Sequence, residues 1–317
     1  MKDSFDPTKC NVALLCGGTS GERDISLASG EGAFAALVEA GFSVTKYDPS
    51  SRTDLKALID GSYDVAFLAL HGRGGEDGQI QGFLELIGLP YTGSGVRASA
   101  TAIDKSAAKV FYQSEGILTA PSITIWRDQP YSISEIVSTV SEHCVIKAAT
   151  EGSSLGVFIV EGVKDIEEAI VEAFKYDDHI LIEQYVSGTE LTVAVLDDGN
   201  PFALPIIEIV PQNDSYDFDS KYQPGGSEHI CPARLSETVS EEIKAAAVAA
   251  HKALGCEGVS RSDFILDEAG RFWILETNTI PGMTATSLLP DAARVHGLSF
   301  PELCVFLVKS ALRKQNG

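Results

Sequence analysis

Three short apolar runs, "NVALLCGG", "FSVTKYD" and "YDVAFLAL", recur within residues 11–70, separated by stretches with helical apolar spacing. That order dictates a parallel sheet, because each strand must be brought back to the same edge by a crossover helix. The first helix is read from "DISLASGEGAFAALVEAGF" and stops at Gly41; others lie in "DLKALID" and "QIQGFLELIG". Ligands gather beyond the carboxyl ends of strands in such sheets. His71, immediately after the run "YDVAFLAL", therefore becomes a candidate binding residue, although a structural histidine fits the same pattern.

The pattern then changes. A helix in "SAAKVFYQSEG" precedes strands "SITIW", "HCVIKAA", "VFIVE" and "HILIEQYV", which surround one expected helix, "IEEAIVEAFK". After them come the strand "ELTVAVL", the apolar segment "PFALPIIEIV", a polar loop, the helix "EEIKAAAVAAHKAL", a hairpin and a C-terminal helix. The expected fold class is α/β and α+β, divided into an N-terminal open parallel-sheet unit (1–98), a central α+β unit (99–186) and a C-terminal unit (187–317).

Charge narrows the function classes. The chain has 45 acidic against 24 basic residues, a formal charge of −21. Such a surface repels a nucleic-acid backbone and offers no polybasic membrane patch, so small ligands or cations are the expected partners. The six cysteines show no CxxC pair or zinc spacing and read as reduced core thiols. No apolar run approaches the ~18 residues of a membrane span, and the N-terminus lacks a signal-peptide core; a cytoplasmic location is expected.

The hairpin "VSRSDFILDEAGRFWILETNT" turns in "DEAG". Pairing Leu266 with Arg271 sets Arg261 opposite Glu276, with Asp263 and Asn278 on that same side and Phe264, Leu266, Trp273 and Leu275 on the core side. Two carboxylates and an amide on a rigid scaffold suit Mg²⁺. A solvated face with an arginine–glutamate pair fits the hairpin equally. In "HCVIKAATEGSSLGVFIVE", Lys147 ends a strand before a Gly/Ser-rich connection able to lay N–H groups and hydroxyls over phosphates, though such loops are common. Glu183 and Glu190, in "ILIEQYVSGTE", suit an adenine amino group and ribose hydroxyls, or are ordinary surface carboxylates. Glu22, in "GGTSGERDIS", reads first as a capping carboxylate. Walker A, HExxH and dinucleotide fingerprints are absent.

In order along the chain, "GGTSGERDISL", "LHGRGGEDGQIQGFLELIGLPYTGSG", "DK", "EGSSLGV", "SKY", "RSDF" and "LETNTIPGMTATSLLP" resemble the D-alanine:D-alanine ligases of the ATP-grasp superfamily. The resemblance covers nearly the whole chain. It implies a three-domain ATP-grasp architecture and ATP-dependent joining of two D-alanines through a D-alanyl phosphate, in peptidoglycan precursor synthesis. Two Mg²⁺ ions (or Mn²⁺) would sit on Asp263, Glu276 and Asn278. The nucleotide would meet Lys105, Lys147, Ser153, Ser154, Glu183, Tyr185, Val186, Glu190 and Lys221.

Glu22 would hold the ammonium of the first D-alanine, in a set with Ser153 and Tyr222, and His71 would lie near its carboxylate. Arg261 and the Gly282 N–H would serve the oxyanion, and Ser287 and Leu288 the second carboxylate. A homodimer is implied, and Tyr222 in "SKY" implies an amide product over D-alanyl-D-lactate. The chain departs from the family in "KAATEGSS": Ala148 and Thr150 stand where proline and a basic residue are usual. Another ATP-grasp carboxylate–amine ligase and a non-catalytic nucleotide- or amino-acid-binding module are the competing readings.

Overall fold

A computed structural model describes residues 5–153, 155–211, 227–284 and 286–314. Strands β1 (Asn11–Leu15), β2 (Ser43–Tyr47) and β3 (Val65–Leu68) form a parallel sheet in the order β2-β1-β3. β1 after Asn11 and the whole of β3 are apolar and buried because both of their faces are covered, whereas β2 mixes in the polar residues Ser43, Thr45 and Lys46. Chain order reverses between β1 and β3. The loops leaving their carboxyl ends, residues 16–22 and 69–78, therefore diverge and open a crevice. Ser26 ties them together, accepting from the Gly17 N–H at 2.8 Å and donating to the Ala69 carbonyl at 2.7 Å.

The second sheet is antiparallel, in the order β4-β7-β5-β6: β4 (Ser122–Trp126), β5 (His143–Ala148), β6 (Val157–Glu161) and β7 (His179–Gln184). Two helices cover it, not the single one expected. The additional helix, Ile133–Val140, is only eight residues long but spaces Ile133, Ile136, Val137 and Val140 at the helical period, and its start is marked by Ser132, whose hydroxyl accepts from the Glu135 N–H. Ile136, Ile166 and Ile170 from the helices close over Ile146, Ile180 and Ile182.

The third sheet runs β11-β10-β8-β12-β13, with β9 also on β8: β8 (Thr189–Leu196), β9 (Phe202–Ala203), β10 (Ile207–Pro211), β11 (Ser227–Ile230), β12 (Val259–Leu266) and β13 (Phe272–Asn278). Leu191, Val193 and Val195 point to the helix Glu237–Leu254, while Ala194 and Leu196 join a core shared with Val12, Leu14 and Phe67 of the first sheet. The C-terminal helix Phe300–Lys314 lies in that shared core through Leu303, Leu307 and Val308. This packing fixes the third sheet against the two loops of the first. Among the described residues no single helix is long and apolar enough to cross a membrane.

The hairpin register differs from the expected one. Arg261 pairs with Asn278 and Asp263 with Glu276, while nearer the turn Leu266 pairs with Phe272. The turn holds one residue more than expected, which shifts the near run by one, and a β-bulge between the two runs adds the second step. The bulge lets Ile274 enter the core at one end of β13 while Glu276 and Asn278 turn to the opposite face at the other. Trp273, expected in the core, is half-buried and donates its indole N–H to Asp267 at 3.0 Å.

Candidate active site

Loops and strand ends from all three sheets meet at a cavity of about 610 Å³ lined by Glu22, His71, Glu76, Ser153, Arg261 and Asp263. Glu276, Asn278, Gly282, Ser287 and Leu288 also line it. Lys105 opens onto a small adjoining void beside Glu276 and Asn278. Lys147 and Glu183 lie off the cavity wall, on β5 and β7. Ser154, Lys221 and Tyr222 lie outside the described residues.

On the third sheet, Asp263 and Glu276 face each other across β12 and β13, with Asn278 two positions further along. Asp263 accepts from the Thr192 hydroxyl at 2.5 Å and from the Arg261 guanidinium at 3.0 and 3.1 Å. Glu276 Oε2 lies 3.3 Å from the Lys105 ammonium. Among the described residues no three His, Cys, Asp or Glu side chains cluster in a way that could hold a metal. The donor set is two carboxylates and the amide oxygen of Asn278; the buried Nδ2 of that amide, which has no hydrogen-bond partner among the described residues, is a donor suited to a phosphate oxygen and not to the cation. An incomplete set of hard oxygens on a rigid scaffold fits Mg²⁺, which retains positions for water and phosphate oxygens.

Behind this face lies a buried charge cluster. Glu183, 2% exposed, accepts from the Lys109 ammonium at 2.7 Å and is also paired with Lys147. Burial alone would raise the Glu183 carboxyl, but the two lysines hold it down to about 2. Burial lowers Lys147, yet the charge of Glu183, reinforced by Glu276 and Glu190, leaves it raised. Lys109 donates also to the Thr119 hydroxyl at 2.6 Å. Tyr185 stacks on His143 with ring centroids 4.1 Å apart, and Val186 follows it, half-buried.

The opposite wall is built differently. Glu22 immediately precedes the helix Arg23–Glu39 but does not cap it; its side chain is buried and accepts from the Ser153 hydroxyl. Its other oxygen, Oε2, has no hydrogen-bond partner among the described residues. Burial raises its carboxyl, partly offset by Ser153 and by the charge of Lys105. Two glycines make room for that oxygen: a Cβ would stand 2.5 Å from it at Gly72 and 2.6 Å at Gly152. Glu76 is buried beside it, held by the Gly72 N–H at 2.9 Å and the Ile280 N–H at 3.3 Å, and burial with the nearby Glu22 charge raises it to about 8. His71 bonds the Ser29 hydroxyl at 2.9 Å; burial first and the Arg261 charge second lower it to about 4, so the ring is neutral at pH 7.

After β13 the chain turns at Pro281 and Gly282 into the helix Leu288–His296, whose N-terminus abuts the cavity. Ser287 makes no capping bond; its hydroxyl instead accepts from the Thr284 N–H at 3.1 Å. A helix start with an uncommitted first turn is suited to a carboxylate.

Comparison with known proteins gives this geometry a family. Residues 45–94 match the model described as "D-ala D-ala ligase N-terminus", and residues 111–309 match "D-ala D-ala ligase C-terminus". The chain belongs to the D-alanine–D-alanine ligase family. The D-alanine–D-alanine ligase of Desulforamulus reducens is 47% identical over 96% of this chain and 99% of its own length. That of Halalkalibacterium halodurans is 45% identical, covering 96% and 99%. The Bacillus anthracis enzyme complexed with ATP superposes with a TM-score of 0.82 at 28% identity, covering 97% of this chain and 98% of that one. The Coxiella burnetii ligase gives 0.84 at 26%, covering 97% and 95%. The ATP-grasp architecture expected from the resemblance is therefore the fold of this chain.

Glu76 and Lys109 were not identified from the sequence. Lys109 had a signal, since it follows Lys105 by four residues and so shares its helix face. Glu76 stood in the same "HGRGGEDG" loop as His71, but nothing local marks which of its acids is buried.

Proposed function

We propose that this protein joins two D-alanines to D-alanyl-D-alanine at the expense of ATP. The observation that carries the reading is one cavity holding both an oxygen-donor set and a buried, half-satisfied carboxylate, Glu22, in a chain of this family. The ammonium of the first D-alanine supplies the cation that Glu22 Oε2 lacks. Neutral His71 and the nearby Arg261 orient its carboxylate.

A carboxylate oxygen then attacks the γ-phosphorus of ATP; the bond to ADP breaks and D-alanyl phosphate forms. Asp263, Glu276 and Asn278 would hold Mg²⁺, which when bound offsets the negative charge of the phosphates. Lys105 and Lys147 add cationic charge, with Ser153, Ser154 and Lys221 toward the phosphates. Glu183, Tyr185 and Val186 receive adenine, and Glu190 receives the ribose.

The amine of the second D-alanine, its carboxylate at Ser287 and the Leu288 N–H, attacks the carbonyl carbon. Phosphate departs as the amide bond forms. Arg261 and the Gly282 N–H stabilise the oxyanion, and glycine at 282 keeps that approach open, since a Cβ there would meet Ser287 Oγ at 2.9 Å. Tyr222 completes the set around Glu22 and Ser153 and favours the amide over the ester product. The chain acts in the cytoplasm as a homodimer.

Phosphate release with ATP and Mg²⁺ tests the reading when D-alanine, L-alanine, D-lactate and no amino acid are compared and products are identified by mass. Release that depends on D-alanine, with dipeptide formed, is the expected result. Release with a different amine or carboxylate would move the assignment to another ATP-grasp ligase, and nucleotide binding without release would make the chain a binding module.

A further inference from the structure

The segment "KAATEGSS" carries no cation between Lys147 and Glu151, yet a guanidinium lies there. It belongs to Arg73, on the loop that follows β3. Arg73 Nε is 3.1 Å from Glu151 Oε1, while its Nη2 is 3.2 Å from Asp177 Oδ1 and donates to the Thr150 hydroxyl at 3.0 Å. One planar fork thus spans, from two of its nitrogens, three acceptors on the segments that follow β5 and precede β7, a reach that the single nitrogen of a lysine lacks.

Both ends of this contact are anchored. The Arg73 backbone sits between Gly72 and Gly74, at φ +66° and +82°, with the Gly74 N–H held by Asp77 at 2.8 Å and the Gly75 N–H by the Gly72 carbonyl at 3.1 Å. Asp177 accepts from the Thr150 N–H at 2.9 Å and hydroxyl at 2.7 Å. The Glu151 carbonyl receives the Lys105 ammonium at 2.7 Å, and the Lys105 N–H donates to Ala149 at 3.0 Å. Immediately beyond, Gly152 packs on the Glu22 carboxylate and Ser153 donates to it. The short run 150–153 is therefore pinned to the first sheet at two points, Arg73 and Glu22.

We propose that Arg73 is a positioning residue, a clasp that registers residues 150–153 against the amino-acid loop and so sets where Lys105 and Ser153 stand. The inference rests on the ligase reading above. Arg73 touches none of the residues assigned to substrate; it acts through Glu151, whose carbonyl seats Lys105, and through Thr150. Its removal would also leave the Glu151 and Asp177 carboxylates beside each other without the cation between them. A half-exposed ion pair by itself contributes little, so the expected effect is on geometry more than on folding.

The test compares wild type with Arg73→Ala and Arg73→Lys by two readouts. The first is hydrogen exchange at the amides of residues 150–153 in the nucleotide-free protein. The second is the ratio of phosphate released to dipeptide formed, because a misplaced loop lets water take the acyl phosphate, returning D-alanine and phosphate. Arg73→Ala should speed exchange about fivefold, lower kcat about tenfold and raise the phosphate-to-dipeptide ratio above that of the wild type. Arg73→Lys should fall between the two.

Unchanged exchange and ratio in both variants would overturn the clasp while wild-type dipeptide synthesis still upheld the ligase reading. A wild type that makes no dipeptide would sink the ligase reading, and exchange would then test the clasp alone. Should Arg73→Ala not fold, Arg73→Lys decides: wild-type values in it would refute the need for a fork.

Discussion

The two ends of the cleft handle charge in opposite ways. At the nucleotide end, buried Glu183 has Lys109 and Lys147 against it, and its carboxyl is held at about 2. At the amino-acid end, buried Glu22 and Glu76 have as described partners one hydroxyl and two backbone N–H groups, and both carboxyls are raised. One end is complete before any ligand arrives, whereas the other is short of a cation. The difference matches the ligands: a nucleotide brings negative charge to lysines already ordered, while an amino acid brings the ammonium that the carboxylates lack.

The largest expected effect concerns the face where the two ends meet. Glu276→Gln should reduce kcat by roughly a thousandfold or more while the melting temperature changes little, since the residue lines the cavity and lies outside the apolar core. Near-normal phosphate release would remove Glu276 from the metal set. Next, Lys109→Met breaks the complete cluster and leaves Glu183 under-compensated, at a cost of about 3–5 kcal/mol in urea unfolding. Adding Glu183→Gln should recover part of that loss, and strict additivity of the two changes would show them uncoupled.

Titration gives the two ends opposite signs. Glu183, lowered from 4.5 to about 2, contributes stability above pH 4.5 that is lost as pH falls toward 2. Glu76, raised from 4.5 to about 8, makes the native state bind more protons than the unfolded one, so stability declines as pH rises from 4.5 to 8. Glu76→Gln should remove that decline and leave the variant roughly 2–4 kcal/mol more stable at pH 8 relative to its own value at pH 5 than the wild type is. Parallel stability curves for the two proteins would refute the assignment. The smallest effect is expected at Gly152→Ala, where a methyl would stand 2.6 Å from Glu22 Oε2. It should raise the KM for D-alanine several-fold with a stability change of about 1 kcal/mol.

Much of this cleft was legible in the sequence because its parts obey local rules. The first sheet follows from apolar runs separated by helical spacing, and Asp263, Glu276 and Asn278 follow from strand alternation. The bulge was not legible: Ile274 and Glu276 are two residues apart yet face opposite sides, and the pattern of "FWILETN" reads equally well with either face inward. Glu76 and Arg73 escaped for another reason. Their roles are set by Ile280, Glu151 and Asp177, far away in the chain, and a single glycine-rich loop gives no sign of which side chain turns inward and which reaches across.

The most direct test of the comparison is the proton balance of D-alanine binding, measured by calorimetry with ADP and Mg²⁺ present, between pH 5 and 8, in two buffers of different ionisation enthalpy. An ammonium docking on raised carboxyls must drive protons off them. Net proton release is expected in the wild type and much less in Glu76→Gln, because the Glu76 carboxyl, raised to about 8, is the one that carries a proton over this range. Binding of D-alanine with no proton released, or with the same release in both proteins, would contradict an amino-acid end that waits for its cation.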